Sequence, residues 1–442
     1  NSLFEQAVRK LPLPVCAAFT SSGGLAPITF SAGGNVPESR DKERVAAAFP
    51  LTSQAAGSAV LKAASTNPRK DQGKRVAVLF SGGPAPGGHN VVCGIKRILG
   101  DGNTLLGVRR GPKGLLAGDL FEITETDIGS IINTGGFDFL GSDRTKIKSD
   151  KQFAQVRETC IKHNLDAIVI VGGDDSNTNA AVLAEYLFKG IKADGSGVQV
   201  IGVPKTIDGD LQIGELLPIS FGFDTATKVY SELAGNILQD TRSSLKYWHF
   251  MKLMGRSASH VTLEVALQTQ PALTIISEEV AAKRQSLGEI VAQIAQTVIA
   301  RADKGINHGV VLIPEGLIEF IPEMGVLIAE LNDVLAKNAA ECEAQSETTR
   351  VVFVRSLLSA SSAALFASLP DYIIKMLLAD RDSHGNLQVS LIPTEQLLID
   401  MTAQAIKASR PEVPFSTQSH FCGYEGRCGA PTLFAAAYTY NL

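Results

Sequence analysis

The feature that most constrains this chain is a repeated local order: an apolar run of five or six residues, a glycine-rich or acidic loop, and then a helical stretch. Val76-Ala77-Val78-Leu79-Phe80 runs into Ser81-Gly82-Gly83-Pro84-Ala85-Pro86-Gly87-Gly88-His89-Asn90 and a helical pattern over 91–99. Residues 167–171 feed Gly172-Gly173-Asp174-Asp175-Ser176 and a helix over 177–188, and 198–203 feed Pro204-Lys205-Thr206-Ile207-Asp208-Gly209-Asp210. Further on, 273–276 and 309–313 read as strands on either side of an amphipathic helix over 286–302. Continuous apolar runs, rather than alternating ones, mark strands buried on both faces, and such strands separated by helices build parallel sheets.

The fold expected is α/β: two Rossmann-like three-layer domains with parallel-rich sheets, plus a helical insertion and an N-terminal extension. A length of 442 residues exceeds one ordinary core. Residues 1–72 mix Ser, Gly, Ala and Pro around one helical candidate at 42–49, and read as the extension. Residues 325–410 are rich in helical pattern, clearest at 327–340 and 371–378, and read as the insertion.

Composition removes several classes of function. With 45% hydrophobic and 19% charged residues and a net charge of −4, the chain is neither disordered nor supercharged. Its Lys and Arg are scattered, so no nucleic-acid partner is expected. No uninterrupted apolar run approaches the ~20 residues of a membrane span, and the apolar start at 11–16 is broken by Pro12 and Pro14. The six cysteines lie far apart without a C-x-x-C pair, which fits a reducing compartment and predicts a cytoplasmic protein. None of the seven histidines has H-x-x-x-H spacing.

The loops carry the chemistry. Gly82 and Gly87 have the spacing of a P-loop, but Gly88-His89 stands where Lys-Ser/Thr is required. The loop also lacks G-x-G-x-x-G, which removes a dinucleotide-binding oxidoreductase. Its glycines can bring backbone N–H groups to a phosphate, or simply make a tight strand-to-helix turn. Asp174 can hold Mg²⁺ while Asp175 lines the space beside it, and the alternative is a helix N-cap. Asp208 and Asp210 are two residues apart, so in an extended segment both face one cleft while Lys205 offsets their charge. An Asp in that place can take a hydroxyl proton as the oxygen attacks phosphorus, and the alternative is an Asp-Gly turn with a surface ion pair. Four carboxylates and a lysine at strand ends suit metal-assisted phosphoryl transfer. Arg256 and Arg427, each beside a glycine, are candidate phosphate forks or surface arginines, and Glu315 can accept hydrogen bonds from sugar hydroxyls.

Taken in order, the strings 82–90, 172–179, 204–210, 221–226, Met254-Gly255-Arg256, Pro314-Glu315-Gly316 and Tyr424-Glu425-Gly426-Arg427 resemble the phosphofructokinase family over about residues 73–442. Within it they are similar to the long pyrophosphate-dependent branch that includes the catalytic β subunit of the plant enzyme. The resemblance implies Mg²⁺-dependent, reversible transfer of a phosphoryl group from pyrophosphate to the 1-hydroxyl of fructose 6-phosphate, in glycolysis or gluconeogenesis. It implies a donor-binding domain at 73–218 plus 421–442, and a sugar-phosphate-binding domain at 219–420.

By the same resemblance, Asp208 is the proton acceptor, in a catalytic set with Lys205 and Asp175. Gly82, Gly83, Arg144 and Lys205 hold pyrophosphate. Thr206, Ile207, Asp208, Asp210, Met254, Gly255, Arg256, Glu315, Tyr424, Glu425, Gly426 and Arg427 hold the sugar phosphate, and Asp174 binds Mg²⁺. Lys246-Tyr247 reaches the partner subunit's site, which implies a homodimer or larger assembly with shared sites. ATP-using relatives carry glycine at the positions of Asp175 and Lys205, so these two residues disfavour an ATP-dependent enzyme. The intact acidic strings disfavour a non-catalytic regulatory subunit. Two departures stand out: Asp143 replaces the glycine of a family Gly-Ser-Gly-Arg loop, and the sequence stops at Leu442, inside what the family continues as a helix.

Overall fold

Residues 76–80 form the centre of strand β1 (Arg75–Ser81), whose last five residues are buried, and the glycine loop delivers the chain to the helix Gly88–Leu99. The computed structural model describes residues 2–8, 10–17, 20–21, 24–25, 28–35, 41–56, 59–66, 72–378 and 391–442. Parts of the expected N-terminal extension and of the helical insertion thus lie outside the described residues. The chain divides into two compact units, Asn1–Ile207 with Leu211–Ala226 and Gly426–Leu442, and Asp208–Asp210 with Thr227–Glu425.

In the first unit, β2 (Thr104–Val108), β3 (Leu120–Glu122), β4 (Ser142–Asp143), β5 (Ala167–Gly172), β6 (Gln199–Thr206) and β7 (Phe221–Gly222) follow β1. The strand order is β7-β6-β5-β1-β2-β3, with β4 beside the end of β1. All pairs are parallel except β2 with β3. From β1 the chain goes to β2 on one side and returns to β5 on the other, so a topological switch point lies between β1 and β5, the usual place for a ligand. Register aligns Ser81 with Gly172 and Gly172 with Pro204, so the first two loops leave at one level while β6 runs two residues further, to Thr206.

Helix Asp174–Tyr186 begins three residues before the expected 177, with Gly173 at its N-cap and both aspartates in its first turn, where the helix dipole favours negative charge. The extension includes the helices Lys42–Ala48 and Pro50–Ala56. The Glu185 carboxylate accepts from Leu51 N at 2.7 Å and Thr52 N at 2.9 Å, satisfying orphan donors of the second helix's first turn.

Helix Phe223–Ser244 leads into the second unit. There β8 (Trp248–Leu253), β9 (Leu273–Thr274), β10 (Gly309–Pro314) and β11 (Thr417–Cys422) form a parallel sheet in the order β9-β10-β8-β11. Strands β8 and β10 are buried throughout; β10 has the unbroken apolar run expected of such a strand, whereas β8 includes His249 and Lys252. The strand expected over 273–276 is only two residues long. Register aligns Leu253 with Pro314 and with Cys422, so the loops starting at Met254, Glu315 and Gly423 also leave side by side. Helix Leu287–Ala302 starts on a reciprocal Ser286/Glu289 capping box and buries Ile290, Ile294 and Val298 in the same core cluster as Trp248, Phe250 and Ile313. Among the described residues, 322–409 holds six helices and no strand. No helix among the described residues is long and apolar enough to cross a membrane.

Candidate active site

In the first unit, the loops that follow Ser81 and Gly172 and the end of β6 beyond Pro204 lie at neighbouring strand ends. The β5 loop comes close to β1 because Gly172 lacks a side chain: a Cβ there would lie 2.4 Å from Ser176 Cβ and 2.9 Å from Ser81 O. Ser176 Oγ in turn donates to Ser81 Oγ at 2.8 Å, and Asn177 Nδ2 donates to the carbonyls of Gly172 and Gly173. The turn carrying Asp174 and Asp175 is therefore fixed to the end of β1.

Lys205, at the end of β6, brings its ammonium between these loops. Its Nζ lies 4.0 Å from where a Cβ of Gly82 would be and 3.9 Å from that of Gly173. Gly82 has φ 88, a conformation that favours glycine, and its N–H donates to Asp143 O at 3.0 Å. The Arg427 guanidinium carbon lies 3.1 Å from the Cβ position of Gly83, so a side chain there would displace it. Two cations thus flank the Ser81-Gly82-Gly83 turn. Sequence grouped Arg427 only with the sugar phosphate, and no local pattern reveals its approach across 344 positions to Gly83.

Around this centre, Asp174 and Asp175 are exposed. Asp175 Oδ1 lies 3.9 Å from Lys146 Nζ, a neighbour that sequence reading missed. Arg144 is exposed on the same segment. The Asp143 departure has a local explanation: its Oδ1 accepts from Thr145 N at 2.7 Å, an Asx turn that stabilises the loop leading to Arg144. Thr206 pairs with Gly222 at the end of β6. The Ile207 side chain is buried beside Gly222, so only its backbone can face a ligand.

The Asp208-Gly209-Asp210 segment corrects an expectation. It is a bend rather than an extended run, because β6 stops at Thr206 and Gly209 takes φ 73. Two-residue spacing therefore does not align the carboxylates: Asp208 is half-buried and Asp210 exposed. His260 Nδ1 donates to Gly209 O at 3.0 Å and holds the bend, a role with no signal in the sequence.

In the second unit, the Glu315 carboxylate is 5% exposed and accepts from Gly255 N at 3.0 Å, bracing the Met254-Gly255-Arg256 turn. Met254 N donates to Cys422 O at 3.0 Å. Arg256 is exposed and pairs with Glu319 at 3.3 Å. Glu425 accepts from Gly423 N at 2.7 Å, and Tyr230 OH donates to Gly423 O at 2.5 Å, which shapes the turn that presents Tyr424, 68% exposed. Gly426 is buried in the short helix Tyr424–Cys428, which carries the chain to Arg427. At the opposite, N-terminal end of β8, exposed Lys246 lies over the Tyr247 ring at 4.8 Å. Leu245 and Tyr247 have φ 54 and 72, strained values for such residues that give this connection a fixed, unusual shape.

Each unit gathers its named residues at the C-terminal ends of its strands, apart from Lys246-Tyr247. No group of three or more His, Cys, Asp or Glu side chains placed to hold a metal ion occurs among the described residues.

The family profile described as phosphofructokinase matches residues 75–368. The pyrophosphate--fructose 6-phosphate 1-phosphotransferase of Treponema pallidum (strain Nichols) is 53% identical over 380 residues, covering 84% of this chain and 65% of that protein. The protein of the same name from Porphyromonas gingivalis is 49% identical over 410 residues, covering 91% and 73%. This chain therefore spans about two thirds of the length of these curated relatives. Among solved structures, the Pichia pastoris phosphofructokinase in the T-state matches with a TM-score of 0.56 at 18% identity, over 85% of this chain and 32% of that one, a likeness of fold. The glycine turn flanked by cations, the strand-end loops and this profile match agree that the chain belongs to the phosphofructokinase family.

Proposed function

We propose that the protein transfers a phosphoryl group reversibly from pyrophosphate to the 1-hydroxyl of fructose 6-phosphate. The observation that carries this reading is the Lys205 ammonium held between the Gly82 and Gly173 loops. A short donor such as pyrophosphate has no nucleoside to anchor it, so a fixed cation at the phosphate turn supplies the grip it lacks. Arg427, beside Gly83, adds a second cation at the phosphoryl end. Arg144 extends the same positive surface.

Asp175 serves as the donor filter. Its carboxylate is exposed at the first turn of its helix and fills space that an α-phosphate and nucleoside would need. The nearby Lys146 softens its charge but not its bulk. Asp208 accepts the proton of the attacking hydroxyl, and the His260 hydrogen bond to Gly209 fixes the bend that presents it. Thr206, the Ile207 backbone, Asp210, the Met254-Gly255-Arg256 turn braced by Glu315, and Tyr424 with Glu425 and Gly426 hold the sugar phosphate.

Asp174 is the residue that would hold Mg²⁺. A single exposed carboxylate fits this ion, which keeps several waters and completes its octahedron with substrate phosphate oxygens. When bound, the ion neutralises phosphate charge. Lys246-Tyr247 reaches a second copy's site, giving a homodimer or larger assembly with shared sites in the cytoplasm. The first unit takes the donor and the second the sugar phosphate, with residues 1–72 as an extension and 325–410 as a helical insertion.

The test is turnover of the purified chain with fructose 6-phosphate, Mg²⁺ and either pyrophosphate or ATP. Turnover with pyrophosphate is expected, and turnover with ATP alone would overturn the donor assignment.

A further inference from the structure

Strand β8 buries a charge where an apolar side chain would be expected. Lys252 shares the face of Trp248 and Phe250, which join the largest core cluster, and is 2% exposed. Its Nζ donates to Ile392 O at 2.7 Å and lies 3.1 Å from Oε2 of Glu395, itself 8% exposed. The carboxylate contact is an ion pair without hydrogen-bond alignment, since that oxygen has no hydrogen-bond partner. The ammonium also sits 4.6 Å from the centre of the Phe421 ring, within cation–π range.

Burying such a pair costs desolvation on both ions, and well-packed apolar residues of equal volume serve stability as well or better. A lysine here is therefore explained by what it locates. It ties the start of helix Thr394–Ser409 to β8 and presses on Phe421, whose ring reaches the turn that follows. A Cβ on Gly423 would meet Phe421 Cζ at 2.7 Å and Met254 Cε at 3.0 Å. The path from Glu395 through Lys252 and Phe421 thus ends on Met254 and Gly423, the floor of the Met254-Gly255-Arg256 and Tyr424 turns.

We propose that Lys252 is a positioning residue for the sugar-phosphate half-site, acting through Phe421 and anchored by Glu395 and the Ile392 carbonyl. It touches no substrate. The proposal rests on the sugar-phosphate reading of Met254, Arg256 and Tyr424 given above.

The experiment compares wild type with Lys252→Met/Glu395→Met, which removes both charges together and leaves no unpaired ion. A Tm at or above wild type is expected, with KM for fructose 6-phosphate raised about tenfold and KM for pyrophosphate within twofold, since ångström displacements of positioning groups cost rates and binding on this scale. An unchanged KM for fructose 6-phosphate overturns the proposal, as does an equal rise in both KM values, which would mean general loosening. If the double variant does not fold, Phe421→Leu carries the same test, because it cuts the path and leaves the ion pair intact. If wild type itself shows no turnover with pyrophosphate, it is the functional reading that fails. Hydrogen exchange over 421–427 in the folded variant then decides the positioning role: faster exchange than wild type supports it and unchanged protection refutes it.

Discussion

Gly172→Ala tests whether the close approach of two loops builds the donor half-site. The new methyl carbon would lie 2.4 Å from Ser176 Cβ, 2.7 Å from Ser176 Oγ and 2.9 Å from Ser81 O. Ordinary carbon contacts begin near about 3.5 Å, so roughly 1 Å must open between the end of β5 and the first turn of its helix. Ser81 O belongs to a strand that pairs on both sides at this level, with β5 and with β4. The helix turn is the part that yields, and the Ser176–Ser81 hydrogen bond of 2.8 Å goes with it. Overpacking of this kind costs about 1–3 kcal/mol. At about 2–4 °C per kcal/mol for domains of this size, Tm falls by roughly 2–12 °C. The same shift moves Asp174 and Asp175 about 1 Å from the Gly82 turn and Lys205, a misplacement worth about a hundredfold in rate. Thermal unfolding and pyrophosphate-dependent turnover measure the two effects. Gly129→Ala is the control: it sits in helix Glu125–Ile131 with nothing within 4 Å of its Cβ position, and is expected to stabilise by up to about 1 kcal/mol without changing turnover. A Gly172→Ala protein with wild-type Tm and turnover would refute the reasoning.

Asp208→Ala is expected to lose about 10²–10⁴-fold in turnover while fructose 6-phosphate binding, read by calorimetry, persists; near wild-type turnover would remove the proton-acceptor role. Asp175→Gly, which frees Lys146 of its 3.9 Å partner and opens space beside the phosphate turn, is expected to raise the ATP-to-pyrophosphate ratio of kcat/KM at least about tenfold; an unchanged ratio would remove Asp175 as the filter. His249 Nδ1 and His420 Nε2 lie 2.8 Å apart, and burial holds both below their ordinary 6.5. The unfolded chain therefore takes up protons below pH 6.5 before the folded one does, so their contribution is present above 6.5 and is lost as pH falls. Tm measured from pH 7.5 to 5 should drop more steeply for wild type than for His249→Phe/His420→Phe, and parallel curves would contradict this.

The sheets were legible because parallel strands buried on both faces leave unbroken apolar runs, and the runs at 76–80, 167–171 and 309–313 all became strands. The glycines at 82, 83 and 172 were legible as a composition, but what they make room for was not. Gly172 yields to Ser176, four residues on, whereas Gly83 yields to Arg427, which no spacing rule connects to it. The bend at Asp208-Gly209-Asp210 was misread as extended because spacing along a chain fixes side-chain direction only inside a regular element, and β6 ends two residues earlier. The same limit hid His260 and Lys146, whose partners are set by where neighbouring elements end.

Register determines those end points. Inserting β5 between β1 and β6 levels Ser81, Gly172 and Pro204, and pairing β8 with both β10 and β11 levels Leu253, Pro314 and Cys422. A one-residue slip of β5 would turn its side chains to the opposite faces and carry Gly172 out of line with Ser81. Buried strands resist that slip, because neighbouring residues such as Ile168 and Val169 occupy opposite faces against different layers. The site's geometry is thus enforced by packing in the middle of the sheet. The Asp143 carboxylate at its edge is held by the local Thr145 N–H, whereas the register of the strands is fixed by the buried core between them.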